Sequence, residues 1–210
     1  AIFAGAIEVV KYLMDKYAVK MSAEKDCDRI LYSTISYNRL NILKYFIEKE
    51  DIDVNAPCGK HSEPLIFAAF RHARSDIIEY LVEEKKADLK KLNCLRDNVL
   101  FQLAEVGDLN AMKDLLDEKK IDFDINVEDC LGKTVLYVAS ASNRTDMVKY
   151  LVDEKQADVN IPEYARLNST CLHQAVTNKN YEVCEYLIQH GAHVEDKNTY
   201  GKITDERLVR

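Results

Sequence analysis

Apolar residues recur along this chain in two alternating arrangements. The first is a short block that opens on a threonine: Thr134-Val135-Leu136-Tyr137-Val138-Ala139, repeated as Thr170-Cys171-Leu172-His173-Gln174-Ala175. Looser copies lie upstream at Arg29–Thr34, Glu63–Ala68 and Asn98–Leu103. Measured at their last residues (Thr34, Ala68, Leu103, Ala139, Ala175), the blocks are 34, 35, 36 and 36 residues apart. The second arrangement follows each block after a turn: two apolar residues, two spacers and two more apolar residues, as in Ile42-Leu43-Lys44-Tyr45-Phe46-Ile47 and Met147-Val148-Lys149-Tyr150-Leu151-Val152. That spacing predicts an amphipathic helix with a single apolar stripe. Each period therefore predicts a short helix, a turn and a second helix. Such units bury their apolar faces by stacking on their neighbours.

The second helices lead into loops built from a small or apolar residue followed by Asp or Asn: Ile52-Asp53-Val54-Asn55, Ala87-Asp88-Leu89, Ala157-Asp158-Val159-Asn160 and Ala192-His193-Val194. Asp and Asn bond nearby backbone groups in turns. Thr134 and Thr170 stand where a hydroxyl satisfies the first N–H groups of a helix.

With these strings in phase over essentially the whole length, the chain resembles the ankyrin repeat family. That family's opening G-x-T-P-L-H-x-A is matched by Gly132 to Ala139, and its V-V-x-x-L-L-x-x-G-A-D-V-N by Val183 to Val194. The resemblance implies an all-α ankyrin-repeat solenoid of helix-turn-helix units joined by hairpin loops, about six repeats in a single domain over 1–210. The repeats fall at 1–23 (partial), 24–57, 58–92, 93–128, 129–162, 163–197 and 198–210 (partial). Because both ends cut into the repeat pattern, the sequence reads as a piece of a longer protein. There are departures too. The motif's proline survives only as Pro64, an extra residue precedes the small-residue turn in 83–87 and 153–157, and 72–76 reads as a lengthened turn between helices. The Lys/Glu-rich turns are similar to those of repeats from intracellular-bacterial effectors and arthropod toxins.

A formal net charge of −7 with Lys and Arg interleaved among Asp and Glu offers no basic stripe, which disfavours nucleic acid as a partner. No apolar run approaches the ~18 residues of a membrane helix, so no membrane insertion is expected. The six cysteines (27, 58, 94, 130, 171 and 184) make no CxxC pair and no Cys/His ligand spacing. They read as free thiols in a reducing compartment, giving a cytoplasmic location, or a host cytosol if the protein is a secreted effector. No cofactor and no metal site is expected.

No nucleophile, base and acid occur at any catalytic spacing, so no catalytic residue is assigned and the expectation is not an enzyme. The resemblance implies instead that His173 braces loop backbone, and that Asn55 and Asn160 hold hairpin turns. The tyrosines recurring on the second helices (12, 45, 80, 150 and 186) read as apolar bodies with solvent-facing hydroxyls. Carried over by position, the family's concave binding face comprises Tyr37, Phe70, Arg71 and Val106 at first-helix ends, with Leu95, Leu131, Lys133, Tyr164 and Tyr200 at loop tips. The functional expectation is a protein-interaction scaffold binding a protein partner there. The alternative is the targeting or substrate-recognition arm of a larger enzyme, effector or toxin. Self-association through uncapped repeat ends is also open.

Overall fold

The computed structural model describes residues 2, 4–17, 27–57, 63–165 and 168–195. The chain divides into two compact units, Ala1–Cys94 and Leu95–Arg210. The first holds α1 (Ile7–Tyr17), α2 (Cys27–Ser36), α3 (Leu40–Glu50), α4 (Leu65–Arg71) and α5 (Ser75–Glu79). The second holds α6 (Val99–Val106), α7 (Leu109–Lys113), α8 (Val135–Ala141), α9 (Thr145–Asp153), α10 (Cys171–Thr177) and α11 (Tyr181–Gln189). The described residues contain no strand. Three of the repeat boundaries expected from the sequence, near 18–26, 58–62 and 196–198, lie outside the described residues, as does the whole partial repeat 198–210.

Each unit is a stack of helix pairs. In the first, α2 packs on α3 and α4, and α4 on α5; in the second, α6 packs on α8, α8 on α10, and each first helix on its own second helix. The apolar stripes read from the sequence are the buried ones. Ile42, Phe46, Ile77 and Leu81 in the first unit, and Met147, Leu151, Val183 and Leu187 in the second, are at most 2% exposed. Burying a side chain of this size stabilises by about 1.5–3 kcal/mol.

The turn between the two helices of a pair has one geometry throughout. Asn38, Ala73, Gly107, Asn143 and Lys179 take positive φ, and the next residue's N–H returns to a carbonyl five residues back. The five bonds are Arg39 to Thr34 (2.7 Å), Arg74 to Ala69 (3.0 Å), Asp108 to Leu103 (3.1 Å), Arg144 to Ala139 (2.9 Å) and Asn180 to Ala175 (3.0 Å). This is the six-to-one closure of a Schellman motif. The lengthened turn expected at 72–76 is absent: Ala73 occupies the same left-handed place as Asn38 and Asn143, and α5 starts four residues after α4 ends, as α3 does after α2. The polar run His72-Ala73-Arg74 suggested an insertion, but the backbone closure requires only one left-handed residue and tolerates alanine in it.

Second helices end on a second left-handed residue: Asp51, Lys86, Lys120, Gln156 and Gly191. From the start of the second helix to the residue after this turn, four repeats are one residue longer than the last. In α5 and α7 the excess is taken up by π turns, Tyr80–Glu84 and Asp114–Glu118, in which the Lys85 N–H bonds the Tyr80 carbonyl at 3.1 Å and the Lys119 N–H bonds that of Asp114 at 2.8 Å. A single π turn is the usual way a helix absorbs one surplus residue.

Loops are tied to one another by a side-chain ladder. The carboxylates of Asp53, Asp88, Asp124 and Asp158 each accept the N–H two residues on, at 2.8–3.0 Å. Asparagine then reaches across one repeat: the Asp88 N–H donates to Asn55 Oδ1 (2.8 Å), Asp158 to Asn126 (2.9 Å) and His193 to Asn160 (2.9 Å).

Of the second-helix tyrosines expected to face solvent, Tyr12 does so at 58% exposed, Tyr45 and Tyr186 are half-buried, and two are buried. Tyr80 and Tyr150 are 2% and 5% exposed. Tyr150 donates its hydroxyl to Asp117 at 2.9 Å and Tyr186 donates to Asp153 at 2.6 Å, each acid lying 33 residues upstream on the preceding second helix. Lys155 completes the first of these clusters by bonding Asp117. Burial, and then the hydrogen bond to the acid, holds both phenols above their ordinary pKa. The Lys155 ammonium, aided by the Tyr150 hydroxyl, holds the Asp117 carboxyl below its usual range against an opposing effect of burial. A raised phenol pKa means the fold favours the protonated form, so its contribution is complete below about pH 10 and is lost as pH climbs beyond it. A lowered carboxyl pKa acts oppositely, being complete above about pH 4 and lost as pH falls through the acid range. Tyr150→Phe is therefore expected to cost about 1 kcal/mol at neutral pH and to make the alkaline decline shallower. Urea unfolding between pH 7 and 11 measures both, and an unchanged alkaline slope counts against the bond.

Candidate functional site

The residues expected to form a binding face fall into both units. In the first, Tyr37 follows the end of α2 and is 50% exposed. Phe70 is not available to a partner: it is 2% exposed, and α4 is buried from Leu65 through Phe70. Counted from the left-handed turn residue, its equivalents in the following repeats are Ala104 and Ser140, both buried, and Val176, half-buried. The positional carry-over ran one residue out of register here, pairing Phe70 with Glu105, Ala141 and Thr177, which are the equivalents of Arg71; the place of Phe70 faces inward, where burial of an aromatic ring is favourable. Arg71 is half-buried and committed internally. Its guanidinium forks onto Glu63, with Nη1 to Oε1 at 2.6 Å and Nη2 to Oε2 at 2.8 Å, and Nη1 also donates to the Tyr32 hydroxyl at 2.9 Å. Glu63 is 3% exposed, so Arg71 neutralises a buried carboxylate.

The second unit brings three of the expected residues together. Leu95, Leu131 and Lys133 line a groove of about 330 Å³ whose floor is Phe101, Gln102, Tyr137 and Val138. Its wall is made of stapled loop tips. The Cys130 N–H donates to the Leu95 carbonyl at 2.7 Å, and the N–H groups of Tyr164 and Ala165 both reach the Leu131 carbonyl, at 3.3 and 3.2 Å. Asp129 closes its own tip, one carboxylate oxygen accepting from the Leu131 N–H (2.7 Å) and the Lys133 N–H (2.8 Å). Gly132 sits in the tip with φ +80°, and the Tyr164 ring lies directly against it: a Cβ there would stand 2.3 Å from Tyr164 Cδ1. Tyr164 itself is 60% exposed. Val106 is half-buried and does not line the groove, and Tyr200 lies outside the described residues.

Tyr137 and Phe101 were missed as groove residues. They occupy the repeat position held by His173 in α10, and that equivalence was the signal that could have found them. Lys133 holds its ammonium 5.9 Å from the centre of the Tyr137 ring. His173 itself is structural. Its Nδ1 accepts from the Thr170 N–H at 3.2 Å and lies 2.9 Å from the Thr170 hydroxyl, fixing the start of α10. Cys94 and Cys130 are exposed free thiols, while Cys171 and Cys184 are buried; burial pushes the Cys171 thiol up to about 12, which makes it inert. No cluster of three metal-ligating side chains occurs among the described residues.

A family model described as ankyrin repeats (3 copies) matches residues 1–93 and 99–198. The chain belongs to the ankyrin repeat family. Ankyrin repeats are generally protein–protein interaction modules, imply protein partners and are typically non-enzymatic. A comparison with characterised proteins found no match. Among the described residues, no helix of this ankyrin chain is long and apolar enough to cross a membrane.

The Arg71–Glu63 pair separates a structural role from a binding one. Arg71→Ala leaves a buried carboxylate uncompensated and is expected to destabilise the fold by about 3 kcal/mol. Joint replacement of Arg71 and Glu63 by Met and Gln is expected to recover most of that loss. Chemical denaturation of both variants measures this, and a single variant as stable as the parent would show that the pair holds nothing.

Proposed function

We propose that this ankyrin chain is a non-enzymatic scaffold that binds a protein partner on the concave face, formed by first helices and loop tips. The observation that supports this best is the groove of the second unit. There Leu95 and Tyr164 are 41% and 60% exposed on tips tied together by backbone hydrogen bonds. Exposed apolar side chains on pre-formed backbone bind with little loss of conformational entropy. Tyr37 supplies a second exposed aromatic in the first unit. Phe70 and Arg71 serve this reading as scaffold rather than as anchors. The exposed free thiols of Cys94 and Cys130 favour a reducing compartment, the cytoplasm. A pull-down from cytosolic extract tests the reading, comparing the parent with a Leu95→Asp, Leu131→Asp double variant of equal helical circular dichroism. The expected result is a protein retained by the parent alone; equal retention by both would remove the site from this groove.

Self-association has its own support. On α1, Val9 and Leu13 are 48% and 41% exposed, whereas their equivalents Ile42 and Phe46 on α3 are 1% and 2% exposed. A second copy covering this stripe would bury it as the other repeats do. Light scattering should then give a mass above the monomer that falls on Val9→Asp, Leu13→Asp substitution; a monomer at high concentration sinks this reading.

A further inference from the structure

At the end of α4 in the first unit, His72 lies between Arg71 and Arg74 in the chain and has both guanidiniums for neighbours. Its ring meets Tyr32 of α2 edge-on, with centroids 5.5 Å apart and an interplanar angle of 79°. Its Nε2 is buried and has no hydrogen-bond partner. A proton there would be a buried donor facing no acceptor, which a fold disfavours.

Neither arginine is free to step aside. Arg71 is forked onto Glu63 at 2.6 and 2.8 Å and bonded to the Tyr32 hydroxyl at 2.9 Å. Arg74 donates Nη2 to the Ser36 carbonyl at 2.5 Å. Among the described residues, the titratable groups that face the ring are these two arginines, Glu63 and the Tyr32 phenol. Two positive charges thus stand against one negative charge, and Arg71 already claims the negative one. A helix end favours a cation, but Arg71 holds that place too. Burial first, then Arg74 and Arg71, hold the imidazole below its ordinary pKa against the opposite pull of Glu63.

The place His72 occupies ties one first helix to the one before it. Its equivalent in α10, Asn178, donates Nδ2 to the Ser140 and Ala141 carbonyls of α8 at 3.1 and 2.9 Å. The other equivalents, counted from the left-handed turn residue, are Tyr37, Val106 and Ser142. In α4 alone does the tie carry a group that gains charge near neutral pH.

We propose that His72 is an acid-sensitive latch of the first unit: neutral, it seats the end of α4 on α2, and protonated, it is driven off Tyr32 by two fixed arginines and the junction loosens. The sign follows from which form the fold favours. The neutral form's contribution is complete above about pH 6.5 and is lost as pH falls below it.

Amide exchange of the whole chain, corrected for intrinsic rates, reads the latch at the Arg74 N–H, which bonds the Ala69 carbonyl. The Arg144 N–H, bonded to the Ala139 carbonyl in the equivalent turn of the second unit, is the control. Between about pH 7.5 and 5.5, protection at Arg74 is expected to fall at least about threefold more than at Arg144. His72→Phe keeps an aromatic edge for Tyr32 but takes no proton, and should abolish the difference. His72→Lys, charged throughout, should show the loss already at neutral pH; if that variant does not fold, the parent and His72→Phe still decide. Equal loss at both turns in the parent overturns the proposal, as does a difference that survives His72→Phe. A ring-proton titration placing His72 above the ordinary histidine pKa overturns it as well.

Discussion

Every helix pair here depends on reversing the chain twice through left-handed backbone. Among the described residues, eleven equivalent turn positions take positive φ, and only three of them, Gly5, Gly107 and Gly191, are glycine. Side chains in that region cost about 1–2 kcal/mol each, so the conformation is imposed on the other eight by what surrounds them. The six-to-one N–H bonds at the turns within pairs supply part of that force, and burial of the helix stripes supplies the rest. If the turns failed, those stripes would not meet. Loop tips, tyrosine hydroxyls and the groove are all placed by the stack that the turns permit.

Local pattern made the helices legible from sequence because a stripe at helical spacing has one favourable outcome, burial against a neighbour. Thr134 capping α8 through the Tyr137 N–H at 3.2 Å and the local turns closed by Asp53 and Asp158 were legible for a similar reason: their partners lie two or three residues away, whereas the reach of asparagine across a repeat appears only in the stack. Side chains whose fate is decided by non-local partners were not. Tyr150 and Tyr186 look amphipathic in isolation, and only the stack brings Asp117 and Asp153 beneath their hydroxyls. Phe70 was matched to exposed residues of later repeats because the block Glu63–Ala68 begins one residue ahead of Pro64, which starts α4 as Asn98 and Thr134 start α6 and α8. Arg71 could be read as a binding residue because the buried Glu63 that claims it is eight positions away, outside any helical spacing.

Within the second unit, the candidate face was legible at its tips and not on its floor. Leu95, Leu131 and Lys133 stood out as apolar or charged side chains in loops. Tyr137 and Phe101 were hidden by sitting inside helices whose other residues form the core. The floor emerges only when a first helix is seen to present one of its positions toward the loops rather than into the stack. That position carries His173 in α10, where the same geometry turns the ring onto Thr170 instead. One repeat place thus serves as a cap in one helix and as groove floor in two others.

The π turns after Tyr80 and Asp114 carry an implication for where the repeats differ in length. Because the surplus residue is swallowed within the second helix, it leaves the next repeat's apolar phase intact; the segment between the two turns of a pair keeps one length in four repeats, and the spacing varies in the loop between each second helix and the next first helix. Each repeat behaves as a separately punctuated word, its helix pair fixed between two left-handed turns and the difference in length left to the loop that follows.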